Sequence, residues 1–107
     1  MIREVDPQVA AQLQREGAIV VDVREPYEWA QGHVSGAQLI PSGELPRRFQ
    51  AGALPRESEI LFICASGARS WDAASLAEAS GYHRVASVVG GTSRWRQLGL
   101  PIERGPR

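Results

Sequence analysis

Lysine is absent from this chain: all twelve basic residues are arginine, and twelve acids balance them to a formal charge of zero. Such a balance leaves no electrostatic footprint for nucleic acid or for an anionic membrane surface, so neither is expected as a partner. Any attraction for anions must be local. A single cysteine excludes an intrachain disulfide, and the two histidines and one cysteine show none of the spacings of a metal site, so no metal is expected. No apolar run approaches the ~20 residues that span a bilayer. The opening Met1 to Val5 lacks the apolar core and cleavage site of a signal peptide. The expected compartment is therefore a reducing cytoplasm, where a lone exposed thiolate survives. With 107 residues there is room for one hydrophobic core and not for two, which predicts a single domain over 1–107 whose last residues, 102–107, form a frayed tail.

What the chain does contain is one stretch around which the rest is arranged. Ile60-Leu61-Phe62-Ile63 is a continuous apolar run of the kind that forms a strand buried on both faces. It delivers the only cysteine, Cys64, into a loop of small residues, Ala65, Ser66, Gly67 and Ala68, followed by Arg69 and Ser70. The spacing predicts a helix over 70–80, opened by Ser70 as cap and stopped at Gly81. In a strand, loop, helix unit of this kind the free N–H groups of the first helical turn face the loop and favour an anion. A thiolate there is stabilised by those amides and by Arg69. Cysteines in such surroundings have pKa values of roughly 3.5–7.5 instead of about 8.5, so Cys64 is the candidate nucleophile.

The remaining segments read as alternating strands and helices. Ile2 to Val5 is a first strand, and Asp6-Pro7 opens a helix whose apolar face carries Val9, Ala10 and Leu13. Ala18 to Val23 is a second strand, in which Asp22 is an acid that burial obliges to find a donor, with Arg24 the adjacent candidate and Glu28 a rival partner for Arg24. A short helix over 26–31 leads to a third strand over 38–40, and His33 between them is expected to make a structural hydrogen bond. Residues 42–51 read as a helix in which Arg47 and Arg48 form a solvated face. Val85 to Val89 is the fifth strand, Gly90-Gly91 a bend without side chains, Thr92 a cap, and Trp95 and Leu98 the apolar face of a last helix. Alternation at this spacing predicts an α/β fold with a parallel sheet and right-handed crossovers, helices covering both faces. Functional groups then collect beyond the carboxyl ends of the strands. Cys64, Asp22 with Arg24, and Gly91 all fall there.

Taken together, Asp22-Val23-Arg24-Glu25 with Glu28-Trp29, Gly32-His33-Val34-Ser35-Gly36-Ala37, Ile40-Pro41, the Cys64 to Ser70 loop, Gly81-Tyr82, Gly90-Gly91 with Trp95, and Gly99-Leu100-Pro101 make the chain resemble the rhodanese family of sulfurtransferases along nearly its whole length. The resemblance implies a three-layer domain with a five-stranded parallel sheet of order 3-2-4-5-1. It implies ping-pong transfer of a sulfane sulfur, from a donor such as thiosulfate to cyanide or a thiol, through a persulfide on Cys64 and without a cofactor. Ala65, Ser66, Gly67, Ala68, Arg69 and Ser70 would bind substrate, with Asp22, Arg24 and Gly91 in support. Similar folds that hydrolyse phosphate esters or reduce arsenate have five residues between cysteine and arginine, against four here, and the tighter ring suits a single sulfur. Many family members also carry a basic residue where this chain has Ala65. That departure weakens the expected hold on thiosulfate and brings in a persulfide on a small thiol or a protein as donor. A different reading of the same loop is a carrier that presents its persulfide to a sulfur-accepting protein, for which an exposed Trp71 would provide contact area.

Overall fold

The computed structural model describes residues 2–106. Along the chain run β1 (Arg3–Val5), α1 (Pro7–Arg15), β2 (Ile19–Asp22), α2 (Pro26–Ala30), β3 (His33–Val34), β4 (Gln38–Leu39), a 3-10 turn (Ser42–Glu44), α3 (Leu45–Gln50), β5 (Ile60–Ile63), α4 (Ala68–Ala79), β6 (Val85–Val88), α5 (Gly91–Gln97) and β7 (Ile102–Glu103). Five strands form one parallel sheet in the order β1-β6-β5-β2-β4. Counted over the five strands expected from the sequence, this is the order 3-2-4-5-1. No helix among the described residues is long and apolar enough to cross a membrane.

The centre of the sheet explains the uninterrupted apolar run. All four residues of β5 are buried, because alternate side chains enter two different cores. Ile60, Phe62 and Cys64 join Leu45 and Phe49 of α3 and Ala73, Ala74 and Ala77 of α4 on one face. Leu61 and Ile63 join Ala10 and Ala11 of α1 and Trp95 of α5 on the other. Each large side chain buried in this way contributes about 1.5–3 kcal/mol. The alanine face of α4 lets that helix lie close to the sheet, and β5 therefore delivers Cys64, the residue after it, beside the start of α4.

Four local expectations are corrected. In α1 the buried residues are Pro7, Ala10 and Ala11, an i, i+3, i+4 stripe that leaves Val9 on the opposite side, 45% exposed. Helix α4 begins at Ala68, not Ser70, because Gly67 at φ +121° makes the turn three residues before Ser70 and takes the cap position. Ser70 consequently lies within the first turn. Gly90, at φ +75°, likewise replaces Thr92 as the cap of α5. Lastly, residues 102–103 are not frayed: β7 pairs antiparallel with β3, Trp95 Nε1 donates to the Pro101 carbonyl at 3.0 Å, and the Gly105 amide reaches the Ala30 carbonyl at 3.1 Å. Two-residue strands carry no periodicity, so the sequence gives no sign of this clasp.

Candidate active site

Cys64 follows the last residue of β5 and is 1% exposed. The loop after it turns back over the sulfur. The Gly67 amide donates to Cys64 Sγ at 3.1 Å and the Ser70 amide at 3.4 Å. Ser70 Oγ lies 3.4 Å from the sulfur, 3.0 Å from the Gly67 carbonyl and 2.8 Å from Ser87 Oγ. These distances describe a hydroxyl relay with two settings. With Cys64 protonated, its S–H donates to Ser70, whose own proton goes to the Gly67 carbonyl. With Cys64 ionised, Ser70 can turn its proton to the sulfur while Ser87 donates to Ser70 in turn.

The electrostatics follow from this geometry. Burial is the largest influence on the thiol and pushes its pKa up, but the Ser70 hydroxyl and the amides of Ser70, Gly67 and Ser66 together outweigh it. The net result is a pKa below that of an ordinary thiol.

Gly91 holds the loop in place from behind. Its backbone sits at φ +57°, and a Cβ there would lie 2.4 Å from the Cys64 carbonyl oxygen and 2.6 Å from the carbonyl carbon of Ala65. Only glycine permits that approach. It brings the Thr92 amide and hydroxyl to the Cys64 carbonyl, at 2.8 and 3.0 Å, and the Ser93 amide to the Ala65 carbonyl at 3.1 Å. The first carbonyls of the loop are thus fixed on the α5 side.

Asp22 and Arg24 sit at the end of β2, with Asp22 in register with Ile63. Asp22 is wholly buried and Arg24 nearly so. Arg24 Nε donates to both carboxylate oxygens at 2.9 and 3.1 Å, and its Nη2 reaches Oδ2 and the Gly32 carbonyl, each at 2.8 Å. Glu28, the alternative partner considered for Arg24, is taken by Arg69. Arg69 Nη1 and Nη2 donate to the two Glu28 oxygens at 2.8 and 3.0 Å. That hydrogen-bonded guanidinium is the main reason the Glu28 carboxyl is lowered to about 2, with burial opposing and the Glu25 amide assisting, while Arg69 itself is pushed up by the same contact.

Arg69, expected to bind substrate, thus has both terminal nitrogens on a carboxylate. Glu28 is the residue that sequence reasoning missed in this role. Its one local signal is the Glu25-x-x-Glu28 spacing, which forms a capping box on α2. Ser87, the lone polar residue of β6, was also missed. His33 has the structural bond expected of it, Nδ1 donating to the Trp29 carbonyl at 2.8 Å, with its ring stacked on the Trp29 indole at 3.5 Å. Arg47 and Arg48 lie by Glu44 at 3.5 and 3.8 Å. Among the described residues no group of three or more His, Cys, Asp and Glu gathers to hold a metal ion. Beside Arg69 a cleft of about 150 Å³ opens between α3 and α4, lined by Ser42, Leu45, Arg69, Asp72, Ala73 and Leu76. Nearby on the surface, Trp71 is 40% and Tyr27 70% exposed.

Comparison with known proteins adds an independent line. The profile of the rhodanese-like domain matches residues 6–98. A sulfurtransferase from Allochromatium vinosum is 35% identical over 104 residues, covering 95% of each chain. The thiosulfate sulfurtransferase GlpE of Stutzerimonas stutzeri is 31% identical, covering 88% of this chain and 84% of its own. Among solved structures, a rhodanese-related protein from Thermoplasma volcanium superposes with a TM-score of 0.85 at 29% identity, over 94% of this chain and 97% of the other.

Proposed function

Since the chain belongs to the rhodanese-like domain family, we propose that it is a sulfurtransferase working by a two-step exchange on Cys64. In the first step the Cys64 thiolate attacks the outer sulfur of a donor such as thiosulfate. The S–S bond of the donor breaks, its electron pair leaves with sulfite, and Cys64 carries a persulfide. In the second, cyanide or a thiolate attacks the terminal sulfur, departs as thiocyanate or a new persulfide, and returns Cys64 to the thiolate. Atoms and charge balance in both steps without a cofactor.

The observation that carries this reading is the convergence of the Gly67 and Ser70 amides and the Ser70 hydroxyl on one sulfur atom. Donors fixed in advance around an atom that gains negative charge lower the barrier to forming it. Ala65, Ser66, Ala68 and Arg69 complete the loop, whose remaining amides would receive the second sulfur in this reading. Asp22, Arg24 and Gly91 hold the strand ends and the loop base in position. A reducing cytoplasm is the compartment in which this thiolate would work.

The deciding experiment is intact-protein mass spectrometry after thiosulfate treatment. Wild type gains one sulfur atom that dithiothreitol removes, and Cys64→Ser gains none. Persistence of the gain in Cys64→Ser would overturn the assignment. The exposed Trp71 and Tyr27 beside the loop favour a second reading, a carrier that hands its persulfide to a protein. Slow thiosulfate to cyanide turnover, together with a stable protein partner that accepts the labelled sulfur, would select it over the enzyme.

A further inference from the structure

Resting on the sulfur-transfer reading, we propose that Glu28 is a specificity-determining residue that selects singly charged sulfane donors over the doubly charged thiosulfate. Both terminal nitrogens of Arg69 are committed to the Glu28 carboxylate, and Arg24 is committed to Asp22. Ala65 and Ala68 bring no charge to the loop. Counting the Cys64 thiolate, Arg69 and Glu28 together, the site presents one net negative charge to an arriving donor. The adjoining cleft adds another carboxylate, Asp72, and otherwise offers Leu45, Ala73 and Leu76 as lining. A dianion meets repulsion here that a monoanion of the same shape meets only in half measure. The chemistry of the first step is the same for either: the outer sulfur bonds to Cys64, and sulfite or a sulfinate leaves with the electron pair.

Thiosulfate and methanethiosulfonate make the comparison directly, since the second replaces one charged oxygen of the first by a methyl group. The readout is the second-order rate constant for persulfide formation with each donor, followed by mass, and the ratio of thiosulfate to methanethiosulfonate. Glu28→Gln removes the charge and retains an oxygen for the Glu25 amide, and the ratio is expected to rise about tenfold, as one unit charge at ionic contact near a protein surface allows. Glu28→Asp keeps the charge and leaves the ratio near that of wild type, which a purely structural role of the side chain would not do. On wild type alone, added salt screens the extra repulsion and raises the ratio, so the proposal is tested even where Glu28→Gln does not fold. A ratio unmoved in Glu28→Gln, or one that falls with salt on wild type, overturns the proposal. If neither donor modifies wild-type Cys64, the sulfur-transfer reading itself fails and this proposal with it.

Discussion

Two arginine–carboxylate pairs flank Cys64, the one side-on through Nε and Nη2 and the other end-on through Nη1 and Nη2, with opposite relations to water. In Asp22 with Arg24 the side chains are 0% and 7% exposed, and in Glu28 with Arg69 they are 20% and 40% exposed. Burial decides what each pair can be used for. Charges taken out of water repay their desolvation only while both partners and their extra hydrogen bonds are present, so the inner pair behaves as one structural unit. Charges at a half-wetted rim add little to stability, so the outer pair is dispensable for folding and faces what approaches.

The largest effect expected from this contrast is on stability. Asp22→Asn leaves Arg24 buried without its counter-charge and is expected to cost about 3–5 kcal/mol, whereas Glu28→Gln costs less than about 1 kcal/mol. Urea unfolding curves measure both, and equal losses would break the contrast. Smaller is the expected effect on the thiol. Because the outer pair largely cancels its own charge, Ser70→Ala should raise the Cys64 pKa more than removal of the whole pair in the double variant Glu28→Gln, Arg69→Gln, with the alkylation rate of Cys64 against pH as the measure. Reactivity rises with pH through the lowered pKa and levels off above it, and Ser70→Ala moves this rise to higher pH. The smallest effect is on acid stability. Glu28 has a folded pKa of about 2 against an ordinary 4.5, so its contribution is complete above pH 4.5 and is lost as pH falls through about 2. Unfolding midpoints of wild type and Glu28→Gln should therefore converge over that window, and parallel curves would separate Glu28 from the linkage.

The sequence made the inner pair readable and hid the outer one, for a physical reason. Asp22 and Arg24 are two residues apart at the end of an apolar strand, where a buried acid has few donors to choose from. Glu28 and Arg69 are separated by 41 residues, and their meeting depends on α2 lying against the start of α4, which no local pattern encodes. The order of the five-stranded sheet came from the family resemblance, and its membership from apolar runs bounded by turn residues. Helix starts were misplaced where a glycine at positive φ, Gly67 or Gly90, made the turn before the expected serine or threonine. Gly91 was legible as a bend. Its role as the seat for the Cys64 and Ala65 carbonyls follows only from the approach of α5 to the loop.

The depth of Cys64, 1% exposed beneath its own loop, also governs regiochemistry under the proposed chemistry. Once a second sulfur is attached, the inner atom stays enclosed by amides and the terminal one forms the tip of the molecule. An incoming nucleophile of any bulk then collides with the tip, so trans-sulfuration outruns the competing attack that would leave a mixed disulfide on the protein. The same enclosure would shield Cys64 from capping by glutathione disulfide, each of whose sulfurs carries a bulky carbon chain.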